Sequence, residues 1–398
     1  MRSSDFLFSL ISPIMEALYF SGISNFFKGY SFFMVKQEFL CTFKETLLKS
    51  SMKLQKIGLI FFIIFCVITL LIIGKGIMLP LILATFLWFI IKEIREFMDK
   101  ASWIRNKVPR GVKTGIASIF ILFVIGLISN LIISNVQDLY NEAPSYQENL
   151  EKVANQIESR FGLNIGENLN NFIGDIDLTS IGKSLLDSFS ELFSSTFMIL
   201  LYLIFILLEE TSFVKKLKAV YEKPNEFEEV NELLIEIDQS LSKYISIKTL
   251  LSLITAVCSF AVLKLIGIDF AFFWAACIFI LNFIPSIGSL IATLFPALMA
   301  LVQYGGSDFT PFILVVVFVG IIQLLVGNFL EPKMMGNSLN ISSLVVILSL
   351  SVWGAIWGII GMILSVPITV MMILIFSKIK GTRDVAILLS EKGIIKSN

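Results

Sequence analysis

The sequence contains no histidine among its 398 residues. Histidine is the usual proton shuttle, the commonest metal ligand and the base of Ser-His and Cys-His nucleophile systems. Cysteine is also scarce: the four cysteines show no CxxC spacing, and three lie in apolar runs where cysteine behaves as a small hydrophobic residue. We therefore predict no disulfide, no metal site and no HExxH metalloprotease.

Phosphate-binding loops are missing as well, since neither GxxxxGK[ST] nor GxGxxG occurs. The chain carries 31 basic and 31 acidic residues, so it has no basic domain that would neutralise the phosphates of a nucleic acid. The apolar runs also lack paired aspartates for intramembrane catalysis. We predict that the protein is not an enzyme, uses no cofactor and binds no nucleic acid.

Apolar residues, in contrast, are abundant: they make up 56% of the sequence, and aromatic residues make up 13%. Several apolar runs of about 17 to 25 residues are long enough to cross a hydrocarbon core that is about 30 Å thick. These runs predict an all-α, polytopic integral membrane protein in contact with lipid. We expect eight to ten membrane segments, some of them broken or re-entrant helices.

Basic residues set the predicted orientation, because loops rich in lysine and arginine stay on the cytoplasmic side. Seven basic residues lie between Lys92 and Lys113, which places this loop inside. Lys378, Lys380 and Arg383 place the carboxyl end inside as well. Both termini are therefore expected to be cytoplasmic.

Composition divides the chain into six segments. Residues 1–51 form an N-terminal extension with two interpretations: either the protein starts at Met52, or the extension is an amphipathic segment at the membrane surface. Residues 135–191 hold ten acidic and three basic residues, which predicts a helical extracytoplasmic module that packs on itself or on a neighbouring subunit. The remaining segments are 52–134 with three spans and the basic loop, 192–248 with the fourth span and an amphipathic cytoplasmic helix, 249–380 with broken membrane helices, and 381–398 as a cytoplasmic tail.

The apolar run 270–302 is interrupted at Asn282, Pro285 and Gly288. Proline removes a backbone donor, and a freed carbonyl in lipid is costly unless protein or water satisfies it. Such a break is tolerated where it is buried or faces a cavity. A simple hairpin turn at the cytoplasmic interface explains the same residues equally well.

A second interruption, residues 327–336, follows the apolar run 311–326 that contains Gln323. It sets Glu331 beside Pro332, with Asn328 before them and Gly336 after them. A carboxylate at the end of a membrane-length segment is expensive, so its presence needs a reason. Either this segment is a loop with Glu331 in water, or it breaks the helix at a transport pathway.

The final apolar stretch, residues 341–376, is too long for one crossing. Its 36 residues would extend about 54 Å at about 1.5 Å per residue. The stretch must therefore bend back. Gly354, Gly358 and Gly361 mark the predicted bend or a close helix contact, and Pro367 lies beyond them.

These motifs, in this order, resemble the autoinducer-2 exporter family of bacterial membrane proteins over residues 52–380. The similarity rests on three motifs: Asn282-x-x-Pro285-x-x-Gly288, Glu331-Pro332-Lys333-x-Met335-Gly336, and Gly354-x-x-x-Gly358-x-x-Gly361 followed by Pro367. The acidic module after the third span and the charged helix before the fifth fit the same layout. The resemblance implies a multi-pass protein of the bacterial cytoplasmic membrane that forms a homo-oligomer, with a pentamer as one form.

The resemblance also implies a function, namely a secondary transporter or permease that moves a small polar solute outward, such as a signalling molecule of the autoinducer-2 type. A sodium/proton antiporter is one alternative, and a passive pore or a non-transporting oligomeric scaffold is another.

In a transporter of this kind, Glu331 would be the coupling or gating carboxylate, and neutral polar contacts would come from Asn282, Gln323 and Asn328. Residues that break or gate the helices would be Pro285, Gly288, Pro332, Gly336, Gly354, Gly358, Gly361 and Pro367.

Overall fold

The computed structural model describes residues 52–161, 178–221, 224–336, 340–379 and 381–393. The predicted N-terminal extension, residues 1–51, and part of the acidic module therefore lie outside the described residues. Within these ranges every regular element is a helix, which confirms the all-α class. The helices are α1 Met52–Ile73, α2 Lys75–Asp99, α3 Ser102–Lys107, α4 Arg110–Phe161, α5 Leu178–Val220, α6 Pro224–Ile266, α7 Ala271–Leu281, α8 Ile287–Gln303, α9 Thr310–Leu325, the π-helical turn Val326–Leu330, α10 Glu331–Met335, α11 Ser343–Lys378 and α12 Arg383–Leu389.

Six stretches of these helices are long and apolar enough to cross a membrane, which confirms a polytopic membrane protein. They are Lys75–Asp99, Arg110–Leu139, Thr196–Val220, Asn225–Ile266, Thr310–Met335 and Ser343–Lys378. Three further apolar helices are shorter: Phe61–Ile73, Ala271–Leu281 and Ile287–Gln303. The first of these belongs to α1, which forms a unit of its own with most apolar side chains exposed, as expected for a helix in contact with lipid.

Helix α4 continues far beyond the predicted end of the third span at Ser134. Its apolar part ends at Leu139, but the helix runs through Pro144 to Phe161. The first part of the acidic segment is thus a direct extension of a membrane helix. Tyr146 and Val153 on this extension are buried, and Val153 lies against the turn at Gly306.

Helices α7 and α8 form a hairpin at the first predicted break. At about 1.5 Å per residue, their 11 and 17 residues extend about 16 and 26 Å, so both are shorter than a full crossing. Gly288 makes the tight turn possible, because a Cβ atom there would lie 1.9 Å from the carbonyl oxygen of Leu281. The interruption is therefore a closely packed turn between two short helices.

Helix α11 bends back at Gly358, as its length requires. Gly358 has φ of 65° and ψ of −143°, a backbone conformation that interrupts the helix. The indole nitrogen of Trp353 donates a hydrogen bond to the Thr369 hydroxyl at 3.3 Å, whereas 16 residues of straight helix would separate these positions by about 24 Å. Gly361 permits the close approach of the two limbs, since its Cβ would lie 1.9 Å from the Trp353 carbonyl oxygen.

Charged side chains join the helices near the predicted cytoplasmic side. Arg95 of α2 is buried and holds Glu210 of α5 at 2.7 Å, and exposed Arg110 of α4 reaches the same carboxylate at 2.7 Å. Lys92 of α2 pairs with Asp238 of α6. These pairs link α2, α4, α5 and α6 and position α6 for the site described below.

Substitution of alanine for Gly288 or Gly361 should destabilise the protein, because each new Cβ would clash with a backbone oxygen that has little freedom to move. We expect a fall in apparent melting temperature of about 5 °C or more in detergent, measured by intrinsic fluorescence. Gly126→Ala is the matched control, since a Cβ at Gly126 meets nothing within 4 Å. Equal melting temperatures for all three variants would contradict the described hairpins.

Candidate functional site

An elongated groove of about 480 Å³ opens between α6, the α7–α8 hairpin and α9 with its π-helical turn. It brings together five residues proposed from the sequence: Asn282 and Pro285 of the first interruption, Asn328 and Glu331 of the second, and Gln323 of the apolar run between them. The hairpin motif and the Glu331 motif therefore line the same cavity, and they are not two unrelated turns.

Helix α9, the π-helical turn and the first residue of α10 supply one wall of this groove through a single face. Val316, Gly320, Gln323, Gly327 and Glu331 recur every three or four residues, so they lie along one stripe. The stripe extends about 22 Å at about 1.5 Å per residue. A Cβ atom at Gly320 or Gly327 would meet nothing within 4 Å, so these glycines leave open space beside Gln323.

The helix stays continuous through Pro332. Proline cannot donate to the carbonyl four residues earlier, which is that of Asn328. The chain accommodates this with the π-helical turn, and the Glu331 N–H bonds to the Val326 carbonyl in the wider π pattern. The helix ends at Gly336, where φ is 54°. The structure thus places a widened turn before Pro332 and the end of the helix after it.

Lys248 of α6 forms an ion pair with Glu331, with Nζ and Oε1 2.6 Å apart. The lysine side chain is 7% exposed and the glutamate side chain 28% exposed. Isolated charges in a low-dielectric environment are costly, so each of these two groups depends on the other. Sequence reasoning assigned Lys248 to the end of a charged cytoplasmic helix and missed this role. Lys248, Ser252 and Thr255 recur at helical spacing, and all three are buried. This spacing could have indicated that Lys248 lies on the buried face of α6.

The hairpin turn forms the opposite wall. Helix α7 ends at Asn282, and α8 begins after Ser286, which has an unusual φ of 58° for a residue other than glycine. The Ser289 hydroxyl donates to the Ser286 carbonyl at 2.9 Å, and the Thr293 hydroxyl donates to the Ser289 carbonyl at 3.0 Å. The end of one short helix and the start of the next thus meet at the groove, which places polar backbone groups beside it.

The remaining residues proposed from the sequence lie elsewhere. Gly288 packs within the hairpin, and Gly336 ends α10. The residues of α11 do not line the groove: Gly354, Gly358, Gly361 and Pro367. Gly354 and Gly361 serve the contact between the two limbs of α11.

A second cavity of about 390 Å³ lies near the turn after α6 and is lined in part by Lys264 and Asp269. The Tyr146 hydroxyl lies 2.9 Å from the carboxylates of both Asp269 and Glu142. Burial, together with these two neighbouring carboxylates, raises the pKa of Tyr146 far above its ordinary value, so the phenol stays protonated. This contact fastens the extension of α4 to the turn before α7.

No three histidine, cysteine, aspartate or glutamate side chains come together in a way that could hold a metal ion within the described ranges. The chemistry available in the groove is therefore that of one ion pair, carboxamides, hydroxyls and backbone groups. Such groups bind and orient a polar solute by hydrogen bonding.

Proteins of similar sequence are named as transport proteins. AI-2 transport protein TqsA of Escherichia coli K12 is 32% identical over 319 residues, which cover 79% of this chain and 90% of that protein. A putative transport protein of Borreliella burgdorferi is 30% identical over 354 residues, covering 84% of this chain and 92% of that protein. A putative transport protein of Haemophilus influenzae is 30% identical over 324 residues, covering 79% and 90%.

The sequence profile of the AI-2E family transporter matches residues 59–381, which is most of the chain. This match confirms the resemblance drawn from the three motifs, and with the six long apolar helices it identifies a multi-pass bacterial membrane protein. The chain belongs to the AI-2E transporter family.

Proposed function

We propose that this protein is a secondary transporter or permease that moves a small polar solute outward across the cytoplasmic membrane. The observation that carries this proposal is the groove, which gathers polar side chains from two distant motifs along about 22 Å of the continuous helix over residues 316–331. A relative whose sequence is matched over 90% of its length is named an AI-2 transport protein. We therefore take a solute of the autoinducer-2 type as the first candidate.

The charges of the groove favour a solute without net charge. Lys248 and Glu331 neutralise each other at 2.6 Å, and the other side chains proposed for the pathway, Asn282, Gln323 and Asn328, are uncharged. A solute ion would have to leave water without a full counter-charge, which is expensive in a membrane. A polar, uncharged solute loses only hydrogen bonds to water, and carboxamides can replace these.

The ion pair supports a gating role for Glu331. It joins α6 to the end of α9 at the predicted cytoplasmic end of both spans, where a solute would enter for export. Opening the groove there requires the two side chains to separate, and hydration of the separated charges offsets the lost attraction. The pair thus closes the entrance when it is dry and yields when water and solute arrive.

Glu331→Gln should slow the movement of AI-2 into inside-out proteoliposomes by about tenfold or more. A neutral amide cannot balance Lys248, so the entrance loses its neutral pair and an unpaired lysine charge is left in the path of the solute, which slows its entry. Glu209→Gln is the control, because Glu209 pairs with Lys216 at 2.7 Å on an exposed surface. If Glu331→Gln changed neither the transport rate nor its pH dependence, Glu331 would be a structural residue.

Reversal of the ion pair gives a second test. Lys248→Glu alone places two carboxylates together and should nearly abolish transport. The double variant Lys248→Glu/Glu331→Lys should transport at least about ten times faster than this single variant. The rates are compared in the same liposomes at equal amounts of folded protein. A double variant as inactive as the single one would argue against a gate made by the pair.

The same liposomes separate the other functional classes. Sodium-dependent dissipation of an imposed pH gradient by the wild-type protein, without movement of AI-2, would favour a sodium/proton antiporter. Movement of AI-2 that shows no response to the proton-motive force would favour a passive pore. A homo-oligomer, including a pentamer, stays a prediction that native mass spectrometry of the purified protein can test.

A further inference from the structure

We propose that Ser252 and Gln323 form a two-donor contact that binds a solute inside the groove, deeper in the membrane than the ion pair. The solute would be uncharged and would present an oxygen acceptor to each donor. This inference rests on the proposed function, because the contact lies in the same groove.

Both side chains line the groove and are buried, with Ser252 1% exposed and Gln323 9% exposed. The Ser252 hydroxyl and the Gln323 Nε2 atom nevertheless have no hydrogen-bond partner within the protein. Buried polar atoms are almost always paired, so two unpaired donors on residues that line one cavity require an explanation.

Other hydroxyls of the groove differ from these two. Ser289 and Thr293 also line it, but each donates its proton to a carbonyl of its own helix. Thr255, one turn from Ser252, donates to the Leu251 carbonyl at 2.9 Å. Among the described residues that line the groove, Ser252 and Gln323 are the two whose donors are both buried and without a partner.

The geometry of α6 and α9 brings the two donors to neighbouring levels. Lys248 meets Glu331 at one end, and Leu263 packs in one core cluster with Val315 and Val319 at the other, so the helices run antiparallel. Measured from the ion pair, Ser252 lies about 6 Å along α6 and Gln323 about 12 Å along α9. The two donors are about one helical turn apart in depth.

Small polar residues also occur at helix contacts in membranes simply because they allow close packing. Ser259 on α6 is an example of such a packing residue. It is fully buried and its hydroxyl also has no partner, but it does not line the groove. Ser252 and Ser259 thus form a matched pair that differs in access to the groove.

The test compares Ser252→Ala and Gln323→Leu with Ser259→Ala in inside-out proteoliposomes supplied with AI-2. Loss of one uncharged donor should raise the half-saturating AI-2 concentration about three- to tenfold for each groove variant. Ser259→Ala should match the wild type. The apparent melting temperatures should be equal, since none of the removed atoms has a partner. Half-saturation values for Ser252→Ala and Gln323→Leu that equal that of Ser259→Ala would overturn the proposal.

A second measurement keeps the inference separate from the choice of solute. In a cysteine-free background, a water-soluble methanethiosulfonate reagent should modify the Ser252→Cys variant and leave the Ser259→Cys variant unmodified. If the wild-type protein moved no AI-2, the proposed solute would be wrong. The labelling result would then be the test of the contact at Ser252 and Gln323. Equal modification of the two cysteine variants would overturn the proposal.

Discussion

Backbone N–H and C=O groups that lack partners are costly in hydrocarbon, and the arrangement of the C-terminal half follows from that cost. Helices may stop inside a membrane only where protein or water satisfies their ends. The α7–α8 hairpin meets this condition by packing its turn against its own helices at Gly288, and α11 does so at Gly361. The π-helical turn before Pro332 keeps the helix continuous where a hydrogen bond is lost. The groove lies where the first and third of these irregularities meet.

Charge placement obeys the same constraint. Lys248 and Glu331 are tolerated because they lie 2.6 Å apart, and their net charge is zero. A neutral groove with polar walls favours neutral polar solutes over ions. The ion pairs between α2, α4, α5 and α6 have a different role, because they lie away from the groove and fix the helices to each other.

The sequence predicted the features that depend on local chemistry. Apolar runs identified the helices, and the length of the run 341–376 required the bend that Gly358 provides. Hydropathy reports where an apolar segment ends and not where a helix ends, so it did not predict that α4 runs on to Phe161. Lys248 was missed because its partner is 83 residues away, so the pairing depends on how α6 packs against α9. The π-helical turn has no compositional signature of its own.

The central claim is that solute passes through the groove between α6, the α7–α8 hairpin and α9. The most direct measurement is an electron cryo-microscopy structure of the full chain in lipid nanodiscs with saturating AI-2. We expect density for the solute between Lys248 and Val316, in contact with Gln323. Density only in the cavity beside Lys264 and Asp269, or only between subunits, with none in the groove, would contradict it.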